Sequence, residues 1–266
     1  MSHPAGSFIW YELMSPDPDA SARFYGPVVG WKVVSHSEPG AAMDYRMIER
    51  ADGGNAGGVM GLTDEMLRGG ARPCWLGYLS VGDVDAAVAA IEGDGGKALL
   101  PAFDIDVGRI AMVADPQGAP FYVMKPKPPE GREGMDSDVF SSDQPQHVRW
   151  NELRTSDPEA ALAFYGKHFG IEPSGAMDMG EMGRYRFISK AGTAIGAVMQ
   201  RPKEMPASAW GFYIGVDDID RATEAAKTGG GQILAGPMEI PGGEFSLDGI
   251  DPQGAPFGLV GPRKGR

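Results

Sequence analysis

A repeat constrains this chain more than any other feature. Trp10-Tyr11-Glu12-Leu13 returns 140 residues later as Trp150-Asn151-Glu152-Leu153. Each copy is followed by Asp-Pro (Asp17-Pro18, Asp157-Pro158), then by Phe24-Tyr25-Gly26 or Phe164-Tyr165-Gly166, then by Gly30 or Gly170. Tyr45-Arg46 matches Tyr185-Arg186 at the same spacing. The offset then shrinks to 135 or 136: Trp75 matches Trp210, and D-P-Q-G-A-P-F at 115–121 recurs unchanged at 251–257. Matches in one order through both halves indicate duplication.

Within one half the pattern runs twice. Phe8 to Met14 reads as a strand. Asp17 is placed as an N-cap with Pro18 at the first helical position. Ala20, Phe24 and Val28 form an apolar stripe at helical spacing, and Gly30 ends the helix. Strands follow at Trp31 to Ser35, Tyr45 to Glu49 and Ala56 to Gly61. Trp75 to Val81 then starts a second round, with Asp83 capping a helix whose apolar face is Val84, Ala87, Val88 and Ile91, and Gly95-Gly96 stopping it. Ala98 to Leu100, Arg109 to Val113 and Ala119 to Met124 complete it, with Asp115-Pro116-Gln117-Gly118 as a hairpin turn.

The expected fold class is therefore α+β: a tandem repeat of paired βαβββ modules forming curved mixed sheets of about eight strands. Helices would cover the convex faces and leave concave pockets for ligands. The expected domains are 1–127 and 145–266, joined by a Pro- and Gly-rich linker at 128–144. Whether modules pair within a half or across the halves stays open. Either a monomer with an internal pseudo-dimer or a homodimer fits.

Composition narrows the function. The formal charge is -12, and no basic run is interleaved with aromatics, so nucleic acid is not an expected partner. No apolar run is long enough for a membrane span, and the N-terminus lacks the pattern of a signal peptide, so a cytoplasmic location is expected. The single Cys74 forms no internal disulfide, and it has no repeat partner.

With the first strand, Asp17, Phe24-Tyr25, Gly30, Val81, Asp83, Gly95-Gly96 and the Asp115-Pro116-x-Gly118 turn in place, the sequence resembles the vicinal oxygen chelate superfamily. That group includes glyoxalase I, extradiol dioxygenases, and fosfomycin- and bleomycin-resistance proteins. A closer likeness is to two-module glyoxalase-like proteins that share W-x-E-L in both halves and P-A-F-D-I with a following G-R, here at 101–105 and 108–109. The resemblance implies one divalent metal on the concave face, held by His, Gln or Glu from four strands. Counted onto this chain, the ligand positions fall at Trp10, near Val59, at Leu76 and Tyr122. In the second half they fall at Trp150, near Val198, at Gly211 and Gly258. None of these eight is a plausible ligand of the usual His, Gln or Glu kind. His3, His36, His147 and His168 do not repeat between halves. The expectation is no metal and no other cofactor, with a divalent metal as the alternative.

The candidate site is what remains. Glu12 and Glu152 are the candidate catalytic residues, and Trp10, Trp150, Arg46, Arg186 and Tyr122 the candidate substrate-binding residues. Trp and Glu two apart face one side of a strand, where Trp would stack on a small-molecule ligand and Glu accept a hydrogen bond or act as base. The structural alternative has Trp filling the metal's place and Glu paired with Arg46 or Arg186. Trp75 and Trp210 are read as core or rim aromatics, not ligand platforms. His168 is read as a surface or packing residue. Aligning Gly108 with Gly243 sets Arg109 against Glu244, which suggests unequal pockets. Metal-free binding of a small organic molecule is the first reading. The alternative is a glyoxalase-like lyase or hydroxylase acting on a small carbonyl or aromatic metabolite.

Overall fold

The computed structural model describes residues 5–35, 43–127 and 136–265. The first half runs β1 (Phe8–Ser15), α1 (Pro18–Val29), β2 (Lys32–Ser35), β3 (Tyr45–Glu49), β4 (Asn55–Gly61) and α2 (Asp64–Arg68). It continues with β5 (Cys74–Ser80), α3 (Val84–Gly93), β6 (Lys97–Ile105), β7 (Gly108–Ala114) and β8 (Pro120–Pro126). The second half repeats the order: β9 (Val148–Thr155), α4 (Pro158–Phe169), β10 (Glu172–Asp178), β11 (Arg184–Lys190) and β12 (Thr193–Gln200). Then come β13 (Ala209–Gly215), α5 (Ile219–Thr228), β14 (Gln232–Glu239), β15 (Phe245–Ile250) and β16 (Pro256–Gly261).

Strand-helix-three strands thus occurs four times, in two eight-stranded mixed sheets. Their orders are β2-β3-β4-β1-β5-β8-β7-β6 and β10-β11-β12-β9-β13-β16-β15-β14. The short α2 was not foreseen. None of its residues is buried, so it carries no apolar periodicity to read. β6 runs five residues past Leu100 to Ile105, as an edge strand with most side chains exposed.

The helix ends follow local chemistry. Asp17, Asp83, Asp157 and Asp218 each accept a backbone N–H from the first turn of their helix. Gly30 and Gly170 close α1 and α4 in the left-handed conformation, with φ of 91° and 59°. The thin fourth strands are explained by backbone approach. A Cβ on Gly57 would lie 2.1 Å from the Tyr11 carbonyl oxygen, and one on Gly196 1.8 Å from that of Asn151.

The chain divides into two compact units, and each draws on both halves. Unit 1 comprises Met1–Ile9, Leu76–Ser137 and Trp150–Trp210; unit 2 comprises Trp10–Trp75, Asp138–Arg149 and Gly211–Arg266.

In unit 2, α1 packs with α5. Phe24 meets Phe257 at a centroid distance of 5.5 Å, and Tyr11 meets Phe212 at 5.1 Å. Tyr25 Oη donates to Asp251 Oδ2 at 3.1 Å and accepts the Trp75 Nε1–H at 3.1 Å. Residues 138–149 belong to this unit too. The buried Arg50 holds Asp138, and Gln146 reaches Ala51 N and Gly30 O.

In unit 1, α3 packs with α4, and Phe121 meets Tyr165 and Phe169. The same clasp recurs: Tyr165 Oη donates to Asp115 Oδ2 at 3.1 Å and accepts Trp210 Nε1–H at 2.9 Å. Three separate repeats of the sequence, Phe-Tyr-Gly, the lone tryptophan and the D-P-Q-G turn, meet in this one device. Trp75 and Trp210 are buried as expected. Desolvation pushes both aspartates above the ordinary carboxylate range and both phenols well above theirs. His168 packs against Phe164 at a centroid distance of 4.5 Å, with Nε2 2.8 Å from Asp94.

Candidate functional site

Strand alternation decides which side chains share a face. On β1, Ser15 bonds Ser21 of α1, so Tyr11, Leu13 and Ser15 turn toward the helix and Trp10, Glu12 and Met14 turn away. β4 runs parallel beside β1 with Glu12 opposite Gly58 and Leu13 opposite Val59. The residues on the Trp10 face are therefore Gly58 and Met60, not Val59. In unit 1 Glu152 stands opposite Ala197 and Leu153 opposite Val198, so Ala197 and Met199 share the Trp150 face. The fourth-strand positions counted as near Val59 and Val198 therefore meet the Trp face at a neighbouring residue, since a shift of one reverses the face in a strand.

In unit 2, Trp10 Nε1 donates to Tyr45 Oη at 2.8 Å. The Tyr45 ring crosses over Gly58, where a Cβ would lie 2.2 Å from the phenolic oxygen. Glu12 is 2% exposed. Cys74 lies within its field: burial pushes the thiol up to about 11, and the Glu12 charge adds to the shift. The Cys74 side chain is half-buried.

In unit 1 the arrangement extends into a chain of four residues. Trp150 Nε1 donates to Tyr185 Oη at 2.7 Å, and Tyr185 Oη donates to Glu152 Oε2 at 2.6 Å. Arg154 Nε donates to Glu152 Oε1 at 2.6 Å. Phe187 packs edge-on against both Trp150 and Tyr185. Glu152 is 4% exposed, so its two oxygens are held by separate donors inside the fold.

The expected Arg–Glu pairing is not what forms. Arg46 bonds Asp44 and Asp19, and Arg186 bonds Glu159 of α4. Alternation is the reason: Arg46 and Arg186 lie one residue past Tyr45 and Tyr185 and reach the opposite, helix-bearing face. The tyrosine of each Tyr-Arg pair, not the arginine, joins the Trp face. Arg154 was also missed. Its signal was present, since it lies two residues after Glu152 and hence on the same face. Tyr122, the remaining candidate, stacks on Tyr78 with centroids 4.3 Å apart and planes 14° apart.

The hairpin registers also revise the Arg109 match. Ala114 pairs with Pro120 and Ile250 with Pro256, an offset of 136 that carries through both hairpins and sets Arg109 against Phe245. Arg109 bonds Asp85 of α3, whereas Glu244 bonds Arg149 with both oxygens.

Metal-donor side chains are sparse on the two Trp faces. Each Trp face offers one carboxylate beside Trp, Met and a glycine or alanine, and that of Glu152 is already taken by a phenol and a guanidinium. Among the described residues no group of three or more His, Cys, Asp or Glu side chains comes together that could hold a metal. His147 is buried with Nδ1 2.9 Å from Pro145 O, and His3 and His36 lie outside the described residues. A separate cavity of about 420 Å³ in unit 2 is lined by Gly30, Asp52, Gln146, His147, Asp217 and Arg221. Arg221 and Gln146 spend donors there on the carbonyls that end α1. Among the described residues no helix is long and apolar enough to cross a membrane.

Comparison with known proteins places these features in a family. The model of the Glyoxalase/Bleomycin resistance protein/Dioxygenase superfamily matches residues 7–123 and 144–254. CFP32 of Mycobacterium tuberculosis, provisionally named a glyoxylase, is 32% identical over 255 residues, covering 95% of this chain and 94% of that protein. The anthracycline biosynthesis protein DnrV of Streptomyces peucetius is 31% identical over 278 residues, covering 98% and 94%. Among solved structures, the Mn(II)-bound glyoxalase of Novosphingobium aromaticivorans aligns over 99% of this chain and 84% of its own, with a TM-score of 0.63 and 17% identity. A variant of homoprotocatechuate 2,3-dioxygenase from B. fuscum aligns over 99% and 73%, with a TM-score of 0.64 and 17% identity. The chain belongs to the Glyoxalase/Bleomycin resistance protein/Dioxygenase superfamily.

Proposed function

We propose that this protein binds a small organic molecule against its Trp–Tyr–Glu faces, without the divalent metal used by metal-dependent members of its family. The observation that carries the reading is the Trp150–Tyr185–Glu152–Arg154 chain. A carboxylate fixed by a phenol on one oxygen and a guanidinium on the other is poorly disposed to ligate a metal. The aromatic rings beside it offer stacking and edge contacts to a flat ligand, and the fixed polar groups orient it. One relative is named for anthracycline biosynthesis, and a flat fused-ring compound is the shape such a face would stack on.

The test has two parts. Elemental analysis of the purified protein after dialysis is expected to find no stoichiometric divalent metal, and a retained equivalent would overturn the metal-free reading. Titration with planar aromatic ligands, followed by tryptophan fluorescence, is expected to give saturable binding that weakens about tenfold or more in Trp150→Ala and Tyr185→Phe. Unchanged binding in both variants would remove this face from the site.

One difference favours a second reading. Glu12 is followed by Met14 at the position where Glu152 has Arg154. In that reading Glu12 acts as a base in a lyase or hydroxylase reaction on a small carbonyl or aromatic metabolite. Turnover on such a panel that disappears in Glu12→Gln and persists in Glu152→Gln would establish it.

A further inference from the structure

The two halves have diverged on the strands that do not carry the W-x-E-L motif. In unit 1, β5, β8 and β7 set Tyr78 beside Tyr122 and Tyr122 beside Met112 on one face. The two rings stack, so this floor is aromatic and none of its three positions carries a charge. Apolar side chains continue it outward: Leu100 of β6 pairs with Met112, and Phe103 with Ile110.

In unit 2 the same three positions are Tyr213, Gly258 and Asp248. Tyr213 pairs with Gly258, and Gly258 pairs with Asp248. With no side chain at Gly258, the Tyr213 ring lies down across it; a Cβ there would meet the ring at 2.6 Å. The lowered ring brings its hydroxyl to Asp248 Oδ1 at 3.1 Å. A stacked aromatic pair over a thioether has become a single flat tyrosine joined to a carboxylate. Both faces point away from the helices, since Phe257, the neighbour of Gly258, packs on Phe24 of α1, and Arg109, on the opposite side from Met112, bonds Asp85 of α3.

We infer that the two halves take ligands of different chemical class, with Met112/Asp248 and Tyr122/Gly258 as the positions that set the difference. The first-half strand set takes a flat, neutral aromatic group, which stacks on the Tyr78–Tyr122 floor. The second-half set takes a group that carries a cationic amine, which the half-buried Asp248 carboxylate attracts. Duplication followed by divergence at these positions gives one chain two specificities. The inference rests on the small-molecule reading above.

The probes are 1-naphthol and 1-naphthylmethylamine, which share a ring system and differ in charge at neutral pH. Each is titrated into the full chain by calorimetry. Asp248→Asn is expected to weaken the amine relative to the naphthol by about tenfold. Tyr122→Leu is expected to shift the ratio of the two affinities by a similar factor in the opposite direction. Met112→Asp, which transplants the carboxylate, is expected to raise amine binding and add a second amine site. Thermal denaturation of each variant establishes that it is folded. Wild-type protein that binds both probes, with affinity ratios that all three variants leave unchanged, overturns the inference and leaves the proposed function standing. Wild-type protein that binds neither probe nor any planar ligand overturns both.

Discussion

Tyr25 and Asp251 are separated by 226 residues in the chain, yet share a buried hydrogen bond of 3.1 Å. The same Tyr25 oxygen accepts the Trp75 indole proton, and the Asp251 Oδ1 atom accepts the amides of Gln253 and Ala255. Removing the hydroxyl leaves a buried carboxylate and a buried indole N–H each short of a partner. Tyr25→Phe is therefore expected to cost about 1–3 kcal/mol. Tyr165→Phe, which unmakes the equivalent clasp of Asp115 and Trp210, is expected to cost a similar amount. Urea denaturation of both variants measures this, and a loss below about 0.5 kcal/mol in either would show that the clasp contributes little.

The same tyrosines predict an alkaline limit to stability. Burial and a neighbouring carboxylate raise both phenols well above 10 in the folded state, while in the unfolded chain they titrate near 10. Below pH 10 both states keep the proton, and the stabilisation is fully present. Above it the unfolded chain releases protons that the folded chain retains, so stability falls as pH rises. The slope is about 1.4 kcal/mol per pH unit for each such tyrosine. Denaturation midpoints between about pH 9 and 11 are expected to fall less steeply in Tyr25→Phe than in wild type.

Much of this was legible in the sequence because it rests on local chemistry. The Asp caps, the Gly30 and Gly170 stops and the D-P-Q-G turns follow from single residues in short windows, and the duplication verified each twice. Module pairing was not legible. It depends on contacts such as Tyr25–Asp251, whose partners carry no signal of each other beyond the fact that both repeat. The site was half legible: spacing put Trp and Glu on one face, but repetition after a tyrosine favoured Arg46 and Arg186 as partners of Glu. Strand alternation sends those arginines to the helices and leaves Tyr45 and Tyr185 in their place. Read by face, the Tyr-Arg repeat puts the tyrosines beside Trp10 and Trp150.

Gly58 is expected to be indispensable to the Trp10–Tyr45 bond. A Cβ there would sit 2.2 Å from the phenolic oxygen and 2.5 Å from Cζ, so Gly58→Ala must displace the ring. The expected cost is about 1–3 kcal/mol, as for other overpacked positions. In a Tyr45→Ala background the same substitution is expected to cost less than about 0.5 kcal/mol, because the obstructing ring is gone. Equal costs in both backgrounds would place the constraint in the β4 backbone instead.

Residues 138–149, which lead into the second half, are expected to be held, not merely tethered. Arg50, with 2% of its side chain exposed, donates to Asp138 Oδ2 at 2.5 Å, to Asp52 Oδ1 at 3.1 Å and to the Asn55 carbonyl. Asp138 and Asp52 are themselves largely exposed, so removing Arg50 strands no buried charge. What is lost is packing, a charge-assisted bond to a backbone carbonyl and the anchor of residues 138–149. Arg50→Ala is accordingly expected to cost about 1.5–3 kcal/mol, the range for a hydrogen bond to a charged group. It is also expected to open this segment to proteolysis before either half is cut. Limited proteolysis with mass spectrometry checks the order of cleavage. A variant cut first inside the strands would show that Arg50 supports the first module as a whole and has no particular hold on the connection.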